Sequence, residues 1–239
     1  MRALILNSGT GSRMKSLTAD NPKCMTELIT GQTIITRQIE QLESQGIREI
    51  IITTGPFAEM LKRHSHKSAH SASLLFVNNP DYLSTNYIYS IYLAKELVYD
   101  DIVLMHGDLV FTTDILQDIM CMSNSAAVIS STLPLPQKDF KAVITNGLIS
   151  AVGIEFFTNA VAMQPLYKLN KDDWLIWLTA IEAFIAKGEK KCYAENAFNA
   201  VSQNCAVYPF DVKERLCAEI DTPDDLDNIN TILARGNLK

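Results

Sequence analysis

The sequence predicts a three-layer α/β fold around a mixed, mostly parallel sheet, on the strength of two observations. Between residues 3 and 105, short apolar runs alternate with segments whose apolar residues recur at helical spacing, which is the pattern of a parallel sheet covered by helices. Further on, Asn146-Gly147 separates two strand-like runs and indicates an antiparallel hairpin. No linker rich in Gly, Ser or Pro divides the chain, so we expect a single domain over 1–239.

Local signals define the individual elements in chain order. The apolar run 3–6 predicts the first strand, and the first helix begins at Thr33 and ends at Gly46. Further strands are predicted at 49–53, 73–78, 102–105, 125–132, 140–145, 148–153 and 204–208. Further helices are predicted at 57–64, 85–97, 114–122 and 172–187, and a last helix has Thr222 as its N-cap.

Composition excludes several classes of protein. The formal net charge is -6 and basic residues form no block, so we expect no nucleic-acid partner. No run approaches the roughly 18 apolar residues of a membrane span, so we expect no membrane insertion. The five cysteines are scattered and never spaced as C-x-x-C, which favours a reducing cytoplasm over a zinc site or a disulfide framework.

A glycine-containing, cationic loop follows the first strand. Gly9-Thr10-Gly11-Ser12-Arg13 allows backbone N–H groups to approach a phosphate closely, and Lys15 and Lys23 add positive charge. A dinucleotide fingerprint would need a third glycine where Met14 stands. The loop therefore predicts a polyphosphate ligand, and right-handed crossovers should bring the loops at 7–13, 54–57, 78–86 and 106–111 to one cleft.

The string from residue 3 to Pro22-Lys23 resembles the signature of the nucleoside-triphosphate transferases that make nucleotide-activated sugars and alcohols. This resemblance implies the Rossmann-like, nucleotide-diphospho-sugar transferase fold, with a nucleotide-binding half at about 1–135 and an acceptor-binding half at about 136–239. The chain departs from the family pattern at Asn7-Ser8, where two alanines are usual, and at Lys15-Ser16. The nucleotide contacts that the resemblance implies are Leu6, Asn7, Ser8, Gly9, Thr10, Gly11 and Ser12.

Two aspartates and two cations are the expected catalytic groups. Asp108 follows a buried strand, and Asp221 opens a segment that resembles the family's Asp-Thr-Pro-Glu-Asp-Leu, so together they would hold Mg²⁺. The alternatives are a turn-forming role for Asp108 and a helix-dipole role for Asp221. We assign Lys23 to the α-phosphate and acceptor, and Arg13 to the β- and γ-phosphates.

The segment around Asn86 narrows the resemblance. Asn79-Pro80-Asp81-Tyr82 and the helix from Thr85 are similar to bacterial phosphocholine and aminoalkylphosphonate cytidylyltransferases, which implies CTP as the nucleotide. Asn86 is a candidate contact for the nucleotide base or for the acceptor, and the alternative is a helix N-cap. The expected acceptor-binding residues are Lys141, Tyr193, Glu195 and Asn196.

The acceptor is expected to be a small aminated phosphonate or phosphate. Trp174 and Trp177 could form a cage for choline, but they lie on one helical stripe that is typical of a core. An alanine before Glu195 favours a primary amine, hence 2-aminoethylphosphonate narrowly over phosphocholine. A sugar-1-phosphate nucleotidyltransferase and a non-catalytic nucleotide-binding regulator of the same fold stay open, as does a homodimer.

Overall fold

A computed structural model of the protein describes residues 1–235. The strands are β1 (Arg2–Leu6), β2 (Glu49–Thr54), β3 (Ser73–Asn78), β4 (Ile102–His106), β5 (Leu109–Phe111), β6 (Ala126–Ser130), β7 (Lys141–Thr145), β8 (Leu148–Gly153), β9 (Ala160–Leu169), β10 (Tyr208–Asp211) and β11 (Cys217–Glu219). The helices are α1 (Ile34–Ser44), α2 (Ala58–Ser68), α3 (Tyr87–Leu93), α4 (Thr113–Met120), α5 (Lys171–Ala186), α6 (Ala194–Val201) and α7 (Pro223–Arg235).

The main sheet has the strand order β10-β6-β9-β4-β1-β2-β3. Strands β4, β1, β2 and β3 run parallel, and β10 runs parallel to β6. Strand β9 is antiparallel to both of its neighbours, β4 and β6, and also pairs with β7 of the β7–β8 hairpin. The sheet is therefore mixed and mostly parallel, as the sequence predicts.

Helices cover both faces of the sheet. Alternate residues of β1 point to opposite faces: Leu4 packs in the cluster that contains α3, α5 and α6, whereas Ile5 packs with α1 and α4. A third cluster joins α7 to the buried Met14 beside the loop after β1. The three layers leave the carboxyl ends of β1 and β4 side by side, because Leu6 pairs with His106 at the end of the register.

The sequence does not predict β9, although this strand lies inside the sheet. Pro165 interrupts its pattern, and proline is expected only at edges or bulges of a sheet. Residues 164–166 form such a bulge, because Met163 pairs with Ile129 and Tyr167 pairs with Ala127. The missing N–H of Pro165 therefore falls where the ladder is already interrupted.

Three smaller expectations also differ from the structure. The late strand expected at 204–208 is β10 (Tyr208–Asp211), and the helix expected at 85–97 ends at Leu93 before a separate 3-10 turn. The short helix α6 was not predicted. The loop 54–57 is expected to line the cleft but does not. It packs against the backbone of Ser8 instead, since a Cβ on Gly55 would overlap the Ser8 carbonyl.

Within residues 1–235, no helix combines the length and the apolar character that a bilayer crossing requires.

Candidate active site

A cleft of about 660 Å³ opens at the carboxyl ends of β1, β3 and β4. Its walls come from the loops that follow these strands and from four later segments of the chain. The lining residues are Leu6–Arg13, Pro22–Cys24, Asn79, Tyr82, Thr85–Tyr87, Ser90, His106–Asp108, Gln137–Phe140, Ile154, Tyr193, Glu219 and Asp221.

The glycine-containing loop requires Gly11 for both its conformation and its packing. Gly11 has a φ of 63°, which L side chains rarely adopt. A Cβ at this position would lie 2.9 Å from the Cβ of Lys23, and the carbonyl of Gly11 accepts a hydrogen bond of 2.9 Å from the Thr18 hydroxyl. The loop therefore packs directly on Lys23 and directs the lysine side chain into the cleft.

Lys23 joins the two predicted metal-binding aspartates. Its Nζ lies 2.5 Å from Asp108 Oδ2 and 2.6 Å from Asp221 Oδ1, and Arg13 Nη2 lies 2.8 Å from the same Asp221 oxygen. Burial lowers the pKa of Lys23, but the charges of the two aspartates outweigh it and raise the pKa overall. Lys23 is therefore a permanent cation between two carboxylates, and the exposed Arg13 stands at the rim.

Two very short strands bring Asp221 to Asp108. Strand β11 pairs antiparallel with β5, with Glu219 opposite Leu109, and the N–H of Ile220 donates to the carbonyl of Asp108 at 3.0 Å. Immediately after Asp221, the side chain of Asp225 accepts hydrogen bonds from Thr222 and caps the start of α7. Pairing before Asp221 and capping after it fix its position.

A second ion pair, between His106 and Glu219, lines the same cleft as Lys23 and the two aspartates. His106 Nδ1 is 2.9 Å from Glu219 Oε1, and both side chains are largely buried. Burial lowers the pKa of His106, but the hydrogen bond and charge of Glu219 raise it to about 9, with smaller contributions from Asp108 and Glu195. The Tyr87 ring packs edge-on against His106, with centroids 4.7 Å apart. The deeper part of the cleft is thus aromatic and charged.

The donor set fits a hard divalent cation. One atom each of Asp108, His106 and Glu219 lies within 4.8 Å of the others, but His106, held as a cation by Glu219, does not donate to a metal, so the carboxylates are the candidate donors. Asp108 Oδ1 is buried without a hydrogen-bond partner among residues 1–235, although its other oxygen binds Lys23. Because Mg²⁺ prefers carboxylate oxygens and binds with one or two of them plus phosphates, Asp108 and Asp221 have the chemistry that this ion needs.

Three of the predicted acceptor residues do not line the cleft. Lys141 is buried; its Nζ donates to the carbonyl of Pro136 at 2.6 Å and lies 4.2 Å from the centroid of the Phe157 ring. Glu195 is also buried, because the hydroxyls of Tyr87 and Tyr167 both donate to it. Asn196 accepts a bond from the Tyr193 N–H at 3.0 Å and caps α6. These side chains are occupied by internal contacts, whereas Tyr193 does face the cleft.

The structure also shows where the three residues with two candidate roles lie: Asn86, Trp174 and Trp177. Asn86 lines the cleft and caps α3, because its Oδ1 accepts from the Tyr87 N–H at 2.8 Å. Trp174 and Trp177 lie in the core, only 0% and 2% exposed, and their indole N–H groups donate to the carbonyls of Val98 and Ala194. The interpretation of the tryptophan stripe as core is confirmed.

Sequence reasoning missed Glu219, Tyr87 and Phe140 as parts of the site. For Glu219 a signal existed: it precedes Asp221 by two residues, as His106 precedes Asp108, and alternate residues of an extended chain share a face. Tyr87 and Phe140 carried no such signal, since aromatic residues at these positions are equally typical of a core.

The sequence profile of one family, described as the MobA-like NTP transferase domain, matches residues 3–142, which include the loop, Lys23 and Asp108. The chain belongs to this family. The match ends at Ala142, within β7, so Tyr193 and Asp221 lie outside it.

Two relatives are similar to this chain in sequence. The chain is 30% identical to the CTP:phosphoglutamine cytidylyltransferase of Campylobacter jejuni over 169 residues, 64% of this chain and 65% of the relative. It is 28% identical to the CMP-5'-(3-aminopropyl)phosphonate synthase of Streptomyces rubellomurinus over 131 residues, 55% of this chain and 21% of the relative. The chain thus covers less than two thirds of the length of either relative.

A solved structure supports the fold over nearly the whole chain. The CTP:phosphocholine cytidylyltransferase of Streptococcus pneumoniae superposes with a TM-score of 0.80, over 97% of this chain and 98% of the other, at 21% identity. At this level of identity the likeness concerns the fold, and it confirms the predicted Rossmann-like nucleotidyltransferase architecture.

Proposed function

We propose that the protein is a Mg²⁺-dependent cytidylyltransferase that joins CMP from CTP to a small aminated phosphonate or phosphate and releases pyrophosphate. One observation carries this proposal: the phosphate-type loop, Lys23, Asp108 and Asp221 converge in one cleft, with the lysine in contact with both aspartates. The names of the two relatives support CTP as the nucleotide and a phosphorylated or phosphonate acceptor.

The proposed reaction is an in-line displacement at phosphorus. An acceptor oxygen attacks the α-phosphorus of CTP, a new P–O bond forms, and the bond to the β-phosphate breaks with its electron pair on pyrophosphate. The attacking oxygen is already an anion near neutral pH, so no general base is required. The obstacle is repulsion between two anions, which cations and positioning reduce.

Each cation of the cleft would bind a different part of the two substrates. Lys23, once released from the aspartates, would bind the α-phosphate and the acceptor oxygen, and Arg13 at the rim would bind the β- and γ-phosphates. Mg²⁺ held by Asp108 and Asp221 would supply further positive charge to the phosphates. Residues 1–135 would hold most of the nucleotide, and residues 136–239 would complete the acceptor side.

The acceptor end of the cleft suits an organic cation. Phe140 and Tyr193 have ring centroids 5.1 Å apart, and Tyr87 lies 5.9 Å from Tyr193. Glu219 brings a carboxylate to the same region. Aromatic faces and a carboxylate attract ammonium groups. We keep 2-aminoethylphosphonate as the first acceptor, because the carboxylate of Glu219 can accept hydrogen bonds from a primary amine.

Phosphocholine is the second candidate acceptor, and the same three rings favour it. With Trp174 and Trp177 in the core, a cage for the trimethylammonium group would be built from Tyr87, Phe140 and Tyr193. Replacing Phe140 by leucine separates the two acceptors, since it removes a π face and keeps the apolar volume. Turnover of phosphocholine should then fall far more than turnover of a primary amine.

Pyrophosphate release tests the proposed function directly. The purified protein is incubated with Mg²⁺, one of CTP, UTP, ATP or GTP, and one of 2-aminoethylphosphonate, phosphocholine, phosphoethanolamine or a hexose 1-phosphate. We expect release with CTP and an aminated acceptor. Release only with hexose 1-phosphates would identify a sugar nucleotidyltransferase instead, and tight binding of CTP without release under any combination would identify a regulator.

Two variants link that activity to the cleft. Asp108→Asn should abolish release, because it removes a carboxylate charge beside Lys23. Asp172→Asn, at an exposed site in the first turn of α5, is the matched control and should retain wild-type release. Lys23→Ala should lower turnover much more than CTP affinity; equal losses in both would contradict the assignment of Lys23 to the α-phosphate.

A further inference from the structure

Two neighbouring polar side chains that line the cleft, Asn7 and Ser8, have buried atoms without a hydrogen-bond partner among the described residues. Asn7 and Ser8 replace the small pair that the family pattern usually has here. Within residues 1–235, Asn7 Nδ2 and Ser8 Oγ are buried side-chain atoms without a hydrogen-bond partner. Both residues line the cleft, and Ser8 is only 8% exposed. Buried polar groups are normally paired, so two adjacent unpaired groups in a cleft point to a ligand.

The backbone around these residues is tightly held. The N–H of Asn7 donates to Thr53 Oγ1 at 2.9 Å. Ser8 lies so close to Gly55 that a Cβ there would overlap its carbonyl, and a Cβ on Gly107 would overlap the Asn7 carboxamide. The Asn7 side chain therefore lies across the ends of β1 and β4, and the neighbouring backbone leaves it little room to move away. Only the terminal amide torsion of Asn7 is free to rotate, because torsions of this kind have a broad distribution of allowed angles.

The position along the chain identifies the part of the nucleotide. Asn7 and Ser8 come immediately before Gly9–Arg13, and both line the same cleft as this loop and Lys23. A nucleoside triphosphate bound with its phosphates at the loop would place its sugar beside Asn7 and Ser8. The sugar is the next group along the ligand after the α-phosphate.

Ribose hydroxyls match the chemistry of the two side chains. A hydroxyl both donates and accepts, so it satisfies a carboxamide in either orientation as well as a serine hydroxyl. A base edge, by contrast, would require one fixed orientation of the amide, and no side-chain hydrogen bond of Asn7 within residues 1–235 fixes it. We infer that Asn7 and Ser8 bind the ribose hydroxyls and make the site selective for ribonucleotides over 2'-deoxyribonucleotides, an inference that rests on the proposed binding of a nucleoside triphosphate.

Nucleotide binding measured by calorimetry tests this inference. Wild-type protein, Asn7→Ala, Ser8→Ala and the rim control Thr10→Ala are titrated with CTP, 2'-deoxy-CTP and UTP in the presence of Ca²⁺, without acceptor. We expect wild type to prefer CTP over 2'-deoxy-CTP by about tenfold, the effect of one or two hydrogen bonds. Asn7→Ala should reduce this ratio to about twofold or less, through weaker CTP binding, and Thr10→Ala should leave the ratio unchanged.

Each alternative result has a distinct meaning. Equal affinity of wild type for CTP and 2'-deoxy-CTP, or an unchanged ratio in both Asn7→Ala and Ser8→Ala, would overturn the inference while leaving the proposed function intact. A loss of the CTP-over-UTP preference alone would assign Asn7 to the base and likewise overturn it. Failure of wild type to bind any triphosphate would overturn the proposed function itself. Melting temperatures of the variants show whether each remains folded.

Discussion

Replacing Lys23 by methionine, which keeps an unbranched side chain and removes the charge, is expected to destabilise the protein in the absence of ligands. The lysine ammonium contacts Asp108 and Asp221, and the three side chains are 13%, 21% and 16% exposed. Removing one member of a fully buried ion pair costs about 3–5 kcal/mol. Partial exposure places this case at the lower end, at about 3 kcal/mol.

A divalent cation should reverse much of this loss. In wild type, the ammonium of Lys23 holds the carboxylate oxygens that a metal would bind, so metal and lysine compete when no nucleotide is present. In the methionine variant that competition is gone. Mg²⁺ at 100 times its dissociation constant would then stabilise the variant by about 2.7 kcal/mol. Wild type should gain clearly less at the same concentration.

Urea unfolding with and without Mg²⁺, followed by circular dichroism, measures both effects, and electron paramagnetic resonance of free Mn²⁺ measures metal affinity independently. Lys62→Met is the matched control, because Lys62 pairs with the exposed Glu59 at 2.8 Å. The control should change stability by less than about 0.5 kcal/mol. If wild type and Lys23→Met gain equal stability from Mg²⁺ and bind Mn²⁺ equally, then Lys23 and the metal do not compete for the two aspartates.

Three further substitutions test other parts of the structure. Gly107→Ala should weaken CTP binding at least tenfold in calorimetry, because the new methyl group displaces the Asn7 carboxamide; unchanged affinity would contradict that contact. Tyr167→Phe should lower the free energy of unfolding by about 1–3 kcal/mol, because it removes the 2.7 Å bond to the buried Glu195; a neutral effect would mean that this carboxylate needs no second donor. Glu43→Gln should cost about 1 kcal/mol at pH 7, because Glu43 accepts three backbone N–H bonds at 2.9, 2.7 and 2.7 Å near the surface. Partial burial raises the pKa of Glu43, but these bonds outweigh it and lower the pKa overall. The stabilisation is therefore complete above the unfolded pKa and is lost as pH falls through the lower folded value, so urea curves of Glu43→Gln and wild type should converge in acid.

Local sequence patterns were sufficient for most of the scaffold. Each of the strands β1 to β4 is a short apolar run next to a helix or a turn signal, so its identity depends on neighbours in sequence alone. The Asn146-Gly147 turn likewise defines the β7–β8 hairpin, with both residues at positive φ. Right-handed crossovers then predict that the loops after these parallel strands lie at one edge of the sheet.

Long-range pairing escaped sequence reasoning wherever the local signal was weak. Strand β9 contains a proline and reverses the direction of the sheet, and it is ordered by pairing with β4, β6 and β7. Strands β5 and β11 have three residues each and no independent stability, so only their mutual pairing defines them. That pairing is what carries Asp221 to Asp108.

The sequence by itself predicted the phosphate-type loop from its residue types, and it predicted the two aspartates and the roles of the cations from the resemblance to a family signature. The tertiary structure alone decided which way the later side chains point. Lys141 and Glu195 have the chemistry of acceptor ligands, yet internal oxygens and hydroxyls occupy them. Asn7 and Ser8, by contrast, line the cleft, and among residues 1–235 no hydrogen-bond partner is found for Asn7 Nδ2 or Ser8 Oγ. A charged residue acts on a ligand only if folding brings its polar atoms to the cleft, and that placement is a property of the whole chain.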